Sequence, residues 1–262
     1  MFDFINFTAD KLQIFLLVIL RGSGLFAFAP ILGNSSIPSL IRVGLLILLS
    51  GLIVSTLPAV TFPAITSLWQ LAGLAVKEIL VGAIISLFFV LIFHAVHTAG
   101  SLIGYQVGLA LANEFDPSIG SQVSVIGRFW YVLAVLIFLT INGHHMIISA
   151  FVNSYQVIPP AGVAIQGGVG ELIIRYTAYV FVIGLKIAAP VMITLFLTDV
   201  ALGTIAKTMP TMNVFFVGFP IKIAMGLLVM AMALPIFAYV LERGVSFLDH
   251  ELNMMFLSMG KA

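Results

Sequence analysis

The sequence predicts an all-α membrane protein built from long, broken helical hairpins. Three observations lead there. Of the 262 residues, 61% are hydrophobic and only 8% are charged, against about 25% charged in an ordinary soluble chain. The mean hydropathy is +1.22. The stretch Lys186 to Lys222 joins two long apolar segments through the Pro-containing turn Lys207-Thr208-Met209-Pro210. Hydrocarbon admits only helices and closed barrels, so such a stretch reads as a helical hairpin.

Composition also excludes function classes. The net charge is +1, which gives no electrostatic case for nucleic acid or a strongly acidic partner. There is no cysteine, hence no disulfide framework and no thiolate metal site. The N-terminus carries Asp3 and Asp10 where a signal peptide has a basic region, so the first apolar segment is expected to be retained.

In chain order, Leu12 to Leu32 is the first span, with Arg21 at its middle and Gly22-Ser23-Gly24 after it. Gly33 to Pro38 is turn chemistry. Val43 to Val76 lacks charge, but Pro58 and Pro63 divide it into two helices. A third span is expected from near Leu68 to about Val96, carrying Lys77 and Glu78. The next segment places Gly100, Gly104, Gly108 and Ala112 on one helix face, where small residues admit close packing of another backbone. That helix is expected to end near Asp116-Pro117, because a residue before proline is pushed out of the α region. Phe129 to about Val152 reads as one span through Asn142-Gly143-His144-His145. Val157 to Gly170 is the best candidate boundary, dividing 1–170 from 171–262. Glu171 to Lys207 and Val214 to Leu241 form the hairpin, with Pro210 and Asn213 at its turn. The tail, Glu242 to Ala262, sets Val245, Leu248, Leu252, Met255, Phe256 and Met259 at helical spacing. It is expected on the membrane surface or against a partner helix. Lys and Arg split almost evenly between the two sides of a six-span topology, so orientation stays open.

Catalytic chemistry is hard to find. His94 and His97 stand three apart on a helix, but a metal needs three or four ligands, so both read as partly buried or interfacial imidazoles. His144 and His145 read as polar groups at a helix contact. No cofactor motif occurs, and no serine has a His and acid partner. Charges inside apolar runs are more informative: Arg21, Lys77, Glu78, Lys186, Asp199 and Lys222. Each costs about 2.5–3.5 kcal/mol in hydrocarbon unless paired. Pairing at helix or subunit contacts is the plainer account, and a proton or ion pathway the sharper one. Asp199 and Lys207 are two turns apart, so Asp199 needs a partner elsewhere.

Several blocks together resemble FliR, the family of flagellar export-gate subunits. They are Arg21 with Ala29-Pro30-Ile31-Leu32, Gly104-Tyr105-Gln106-Val107-Gly108-Leu109, Phe115-Asp116-Pro117 and Phe138-Leu139-Thr140-Ile141-Asn142-Gly143-His144. Ser154-Tyr155, Ile158-Pro159, Ala189-Pro190, Asp199, Leu202-Gly203, Pro210, Met212-Asn213-Val214-Phe215 and Gly218-Phe219-Pro220 complete the pattern. The resemblance covers nearly the whole chain in order. It implies a non-enzymatic subunit without cofactor or metal, in the bacterial inner membrane at the flagellar basal body. Residues 1–170 would be similar to a FliP subunit and 171–262 to a FliQ hairpin, completing a helical hetero-oligomeric ring. Implied partners are FliP-like, FliQ-like and FlhB-like subunits, membrane lipid and unfolded export substrates. The family's plug maps onto Leu109 to Ser118, with Leu109, Ala112, Asn113, Glu114, Phe115, Asp116 and Pro117 at the gate. Glu114 departs from the more apolar loop expected there. Related virulence-secretion subunits are the nearer alternative. A small-molecule secondary transporter is the more distant one, and it should show an internal repeat.

Overall fold

A computed structural model of the chain describes residues 2–33, 37–57, 67–108, 124–163, 168–211 and 213–260. Among these residues every regular element is an α-helix. We label them α1 (Phe2–Phe28), α2 (Ser39–Thr56), α3 (Leu68–Val107), α4 (Val125–Thr140), α5 (Gly143–Val157), α6 (Gly168–Thr208) and α7 (Val214–Gly260). Five are long and apolar enough to cross a membrane, and the bent pair α4 and α5 makes a sixth candidate span. The chain is an all-α membrane protein.

Helix ends follow local chemistry. Leu57 adopts φ −73° and ψ 137°, extended as the residue before Pro58 must be, and α2 stops there. Ser124 caps α4 by accepting a hydrogen bond from the Gly127 N–H at 3.2 Å. The hairpin is present: α6 ends at Thr208, Pro210 sits in the turn, and the Asn213 carbonyl accepts from Phe216 N–H at 3.1 Å as α7 begins. Its arms run antiparallel, with Gly218 against Leu202 and Gly226 against Leu195. Pro190, Pro220 and Pro235 lie inside helices that continue past them.

Three expectations are corrected. The third span does not stop near Val96; α3 takes in Gly100 and Gly104 and ends at Val107. No breaker interrupts it before Gly108, whose φ of +89° turns the chain out of the helix. Second, the span expected through Asn142 is two helices bent by 65°. Asn142 sits at φ 58° and ψ 31°, a left-handed conformation that asparagine tolerates better than most residues. Third, of the two places expected for the tail, the membrane surface is set aside in favour of packing against helices. It prolongs α7, and its apolar stripe is buried by this chain's own residues, from Val245 to Met259.

The chain forms two compact units. Unit 1 comprises Met1–Leu91, Asn142–Tyr176 and Val245–Ala262. Its core includes Leu17, Val18, Ile85, Phe88, Phe151 and Phe256, with Phe88 stacked on Tyr176 at 4.5 Å. Unit 2 comprises Ile92–Ile141 and Thr177–Gly244. Its core is aromatic: Trp130 meets Phe237 edge-on at 4.2 Å, and Phe93 meets Phe138 at 5.3 Å. Each unit draws on chain from both sides of residue 170. Spatial compactness is therefore a different partition from the sequence division at that point.

Candidate functional site

The site in unit 1 is a fully buried ion pair on a seam of glycines. Arg21 of α1 and Glu78 of α3 are both 0% exposed. Arg21 Nε donates to Glu78 Oε2 at 2.7 Å. Its Nη1 donates to Ser154 Oγ at 3.0 Å and to the Ile158 carbonyl at 3.1 Å. The guanidinium lies 4.1 Å from the centre of the Tyr155 ring, a favourable place for a cation. Glu78 Oε1 accepts from the Ala161 N–H at 2.8 Å, and Ala161 itself holds φ at 64°. One charge pair thus ties α1, α3, α5 and the turn after α5.

Backbone proximity makes the pair possible. A Cβ on Gly82 would overlap the Arg21 carbonyl oxygen, and one on Gly24 would overlap the carbonyl oxygen of Ile79. Gly24 follows Arg21 by three residues and Gly82 follows Glu78 by four, so each glycine shares a helix face with its charge. Lys77 is exposed and does not join the network.

In unit 2, Asp199 of α6 finds the partner that Lys207 could not supply. Lys222 Nζ of α7 lies 2.8 Å from Asp199 Oδ1, and Gln106 Nε2 of α3 lies 3.4 Å from Oδ2. This pair is partly open, and borders a cavity of about 270 Å³ lined by Val107, Gly108, Leu202 and Phe219. Lys186 is exposed. The α3 glycines meet the start of α4: a Cβ on Gly100 would overlap Gly127 Cα, and one on Gly104 would overlap Ser124 Oγ. A Cβ on Gly108 would come within 2.9 Å of the Phe219 ring.

Leu109, Ala112, Asn113, Glu114, Phe115, Asp116 and Pro117 lie outside the described residues. The His144 and His145 rings are 4.3 Å apart and tilted, while His94 is exposed. Among the described residues no three metal-ligating side chains gather.

Residues 12–248 match the family described as Bacterial export proteins, family 1. The chain is 34% identical over 249 residues to the flagellar biosynthetic protein FliR of Bacillus subtilis (strain 168), covering 94% of this chain and 95% of the relative. It belongs to the FliR family. The FliR of Escherichia coli (strain K12) is 32% identical over 87% of this chain and 86% of its own length. That of Pectobacterium carotovorum subsp. carotovorum is 33% identical over 81% and 80%.

In this FliR-family chain the Arg21–Glu78 and Asp199–Lys222 pairs are each closed within one unit. The Arg21–Glu78 contact neutralises two charges, and its further bonds go to Ser154 and main-chain groups. Such an arrangement fixes helices in register. Sequence reading singled out Arg21 and Glu78 but passed over Gly82. Its signal was available in the spacing of a glycine one turn after a charge on each of two apolar helices.

Proposed function

We propose that this chain is a non-enzymatic subunit of the flagellar type III protein export gate. With FliP-like and FliQ-like subunits it forms the inner-membrane pore for unfolded flagellar substrates at the basal body, beside an FlhB-like subunit. Residues 1–170 take the FliP-like place and residues 171–262 the FliQ-like place in the ring. Its relatives' names, flagellar biosynthetic protein and bacterial export protein, support the coarser part of this reading.

One observation carries the step to an assembly. On α7, apolar side chains stay exposed from Phe216 through Leu227, Met232 and Ile236 to Tyr239. Those positions extend along about 35 Å of helix, close to a hydrocarbon core of about 30 Å. On α6 the same holds for Ile174, Phe181, Ile193, Phe196 and Val200, over about 40 Å. Water would leave such faces costly, so lipid or neighbouring protein must cover them. Sister subunits meet the need.

The plug is assigned to residues 109–118. Deleting them from the assembled complex is expected to raise its conductance to ions and small solutes in planar bilayers. A deletion complex as tight as the wild type would defeat that assignment.

A further inference from the structure

A second cavity with a cation at its rim lies in unit 1, between α1 and α2. It measures about 270 Å³ and is lined by Ser23, Phe26 and Ala27 of α1 and by Ser39, Arg42, Val43 and Leu46 of α2. Arg42 is the one charged residue in that lining. Its Nε is buried without a hydrogen-bond partner, and its Nη1 reaches the Gly33 carbonyl only at a long 3.4 Å. Among the described residues no carboxylate lines the groove. The guanidinium is therefore a fork of donors, mostly unspent, above an apolar trough. The flank is open as well: only 17% of the α2 span is buried, and Leu40, Val43 and Leu48 are exposed.

We propose that this groove holds an anionic phospholipid. The headgroup phosphate sits on the Arg42 guanidinium with the exposed Ser39 hydroxyl beside it, and an acyl chain lies against Phe26, Val43 and Leu46. A guanidinium matches a phosphate by two parallel hydrogen bonds, and basic pockets between membrane helices favour anionic headgroups. Arg42 is the fourth residue of α2, just after the polar sequence Gly33 to Pro38. An arginine this close to the end of a spanning helix can extend its guanidinium toward a headgroup layer. A partner's carboxylate would satisfy the cation but leave the apolar trough empty, whereas a phospholipid satisfies both. The site does not depend on the pore reading.

The test titrates the full-length chain, in the complex with which it purifies, by native mass spectrometry. The probes are phosphatidylglycerol, phosphatidylcholine and inorganic phosphate. One basic group near an anionic lipid contributes about 1 kcal/mol, a preference of about fivefold. Wild type is expected to hold phosphatidylglycerol about fivefold more tightly than phosphatidylcholine, and Arg42→Gln to erase that preference. Val43→Trp, which narrows the groove at an exposed position, is expected to weaken both lipids and keep the preference. Equal retention of the two lipids by the wild type, which needs no variant, would overturn the proposal. So would millimolar phosphate displacing phosphatidylglycerol, since the anion alone would then be the ligand. A density map of the complex with a partner carboxylate on Arg42 would overturn it too.

Discussion

An arginine and a glutamate in the middle of apolar helices persist only when they pair. Arg21 and Glu78 meet at 2.7 Å with both side chains fully buried. Removing one partner strands the other, at a cost of about 3–5 kcal/mol. Glu78→Leu and Arg21→Met are each expected to lower the thermal unfolding midpoint of the detergent-solubilised chain sharply. The double variant Arg21→Met with Glu78→Leu should lose less than either single change, because no uncompensated charge remains. A double variant as damaged as the sum of the singles would contradict this. The Asp199–Lys222 pair is 40% and 21% exposed, so Lys222→Gln is expected to cost about 1 kcal/mol or less in the same assay. All four charges were legible in the sequence, because a charge inside an apolar run is costly enough to stand out. Their partners were not: Glu78 is 57 residues from Arg21, and only helix packing brings them together.

At the scale of the element, glycines and one asparagine decide how helices meet. Gly100 and Gly104 face Gly127 and Ser124 within this chain, so Gly100→Leu and Gly104→Leu should force α3 from α4. Overpacking of this kind costs about 1–3 kcal/mol, read as earlier thermal unfolding and as loss of co-purification with FliP-like partners. Normal stability and normal co-purification would remove the packing role. Asn142 carries the break between α4 and α5 at φ 58°. There, Asn142→Gly is expected to be neutral, while Asn142→Ala costs about 1–2 kcal/mol, measured by the same unfolding midpoint. Helix breaks at Pro58 and at the Pro210 turn were readable, because proline blocks both its own N–H and the preceding residue's α conformation. The break at Asn142 was not, since asparagine enters left-handed turns without requiring them. The length of α3 was misread because the span was ended near Val96, although the glycines beyond it, read as a packing face, lie on the same helix.

At the scale of the whole molecule, the fold class was the most legible feature, because it follows from hydropathy summed over 262 residues. The fate of the C-terminal stripe was not legible: an apolar helical face looks the same whether a membrane, a partner or the chain's own core covers it. Here the chain's own core covers Val245 to Met259, while long apolar faces of α6 and α7 stay uncovered. Those uncovered faces are what the export-gate reading rests on. Native mass spectrometry of the chain, co-expressed with its neighbouring export genes and extracted in mild detergent, tests that reading most directly. The account predicts a hetero-oligomer containing one copy of this chain with several FliP-like and FliQ-like subunits. A stable lone monomer or homo-oligomer, unchanged by the presence of those genes, would contradict it.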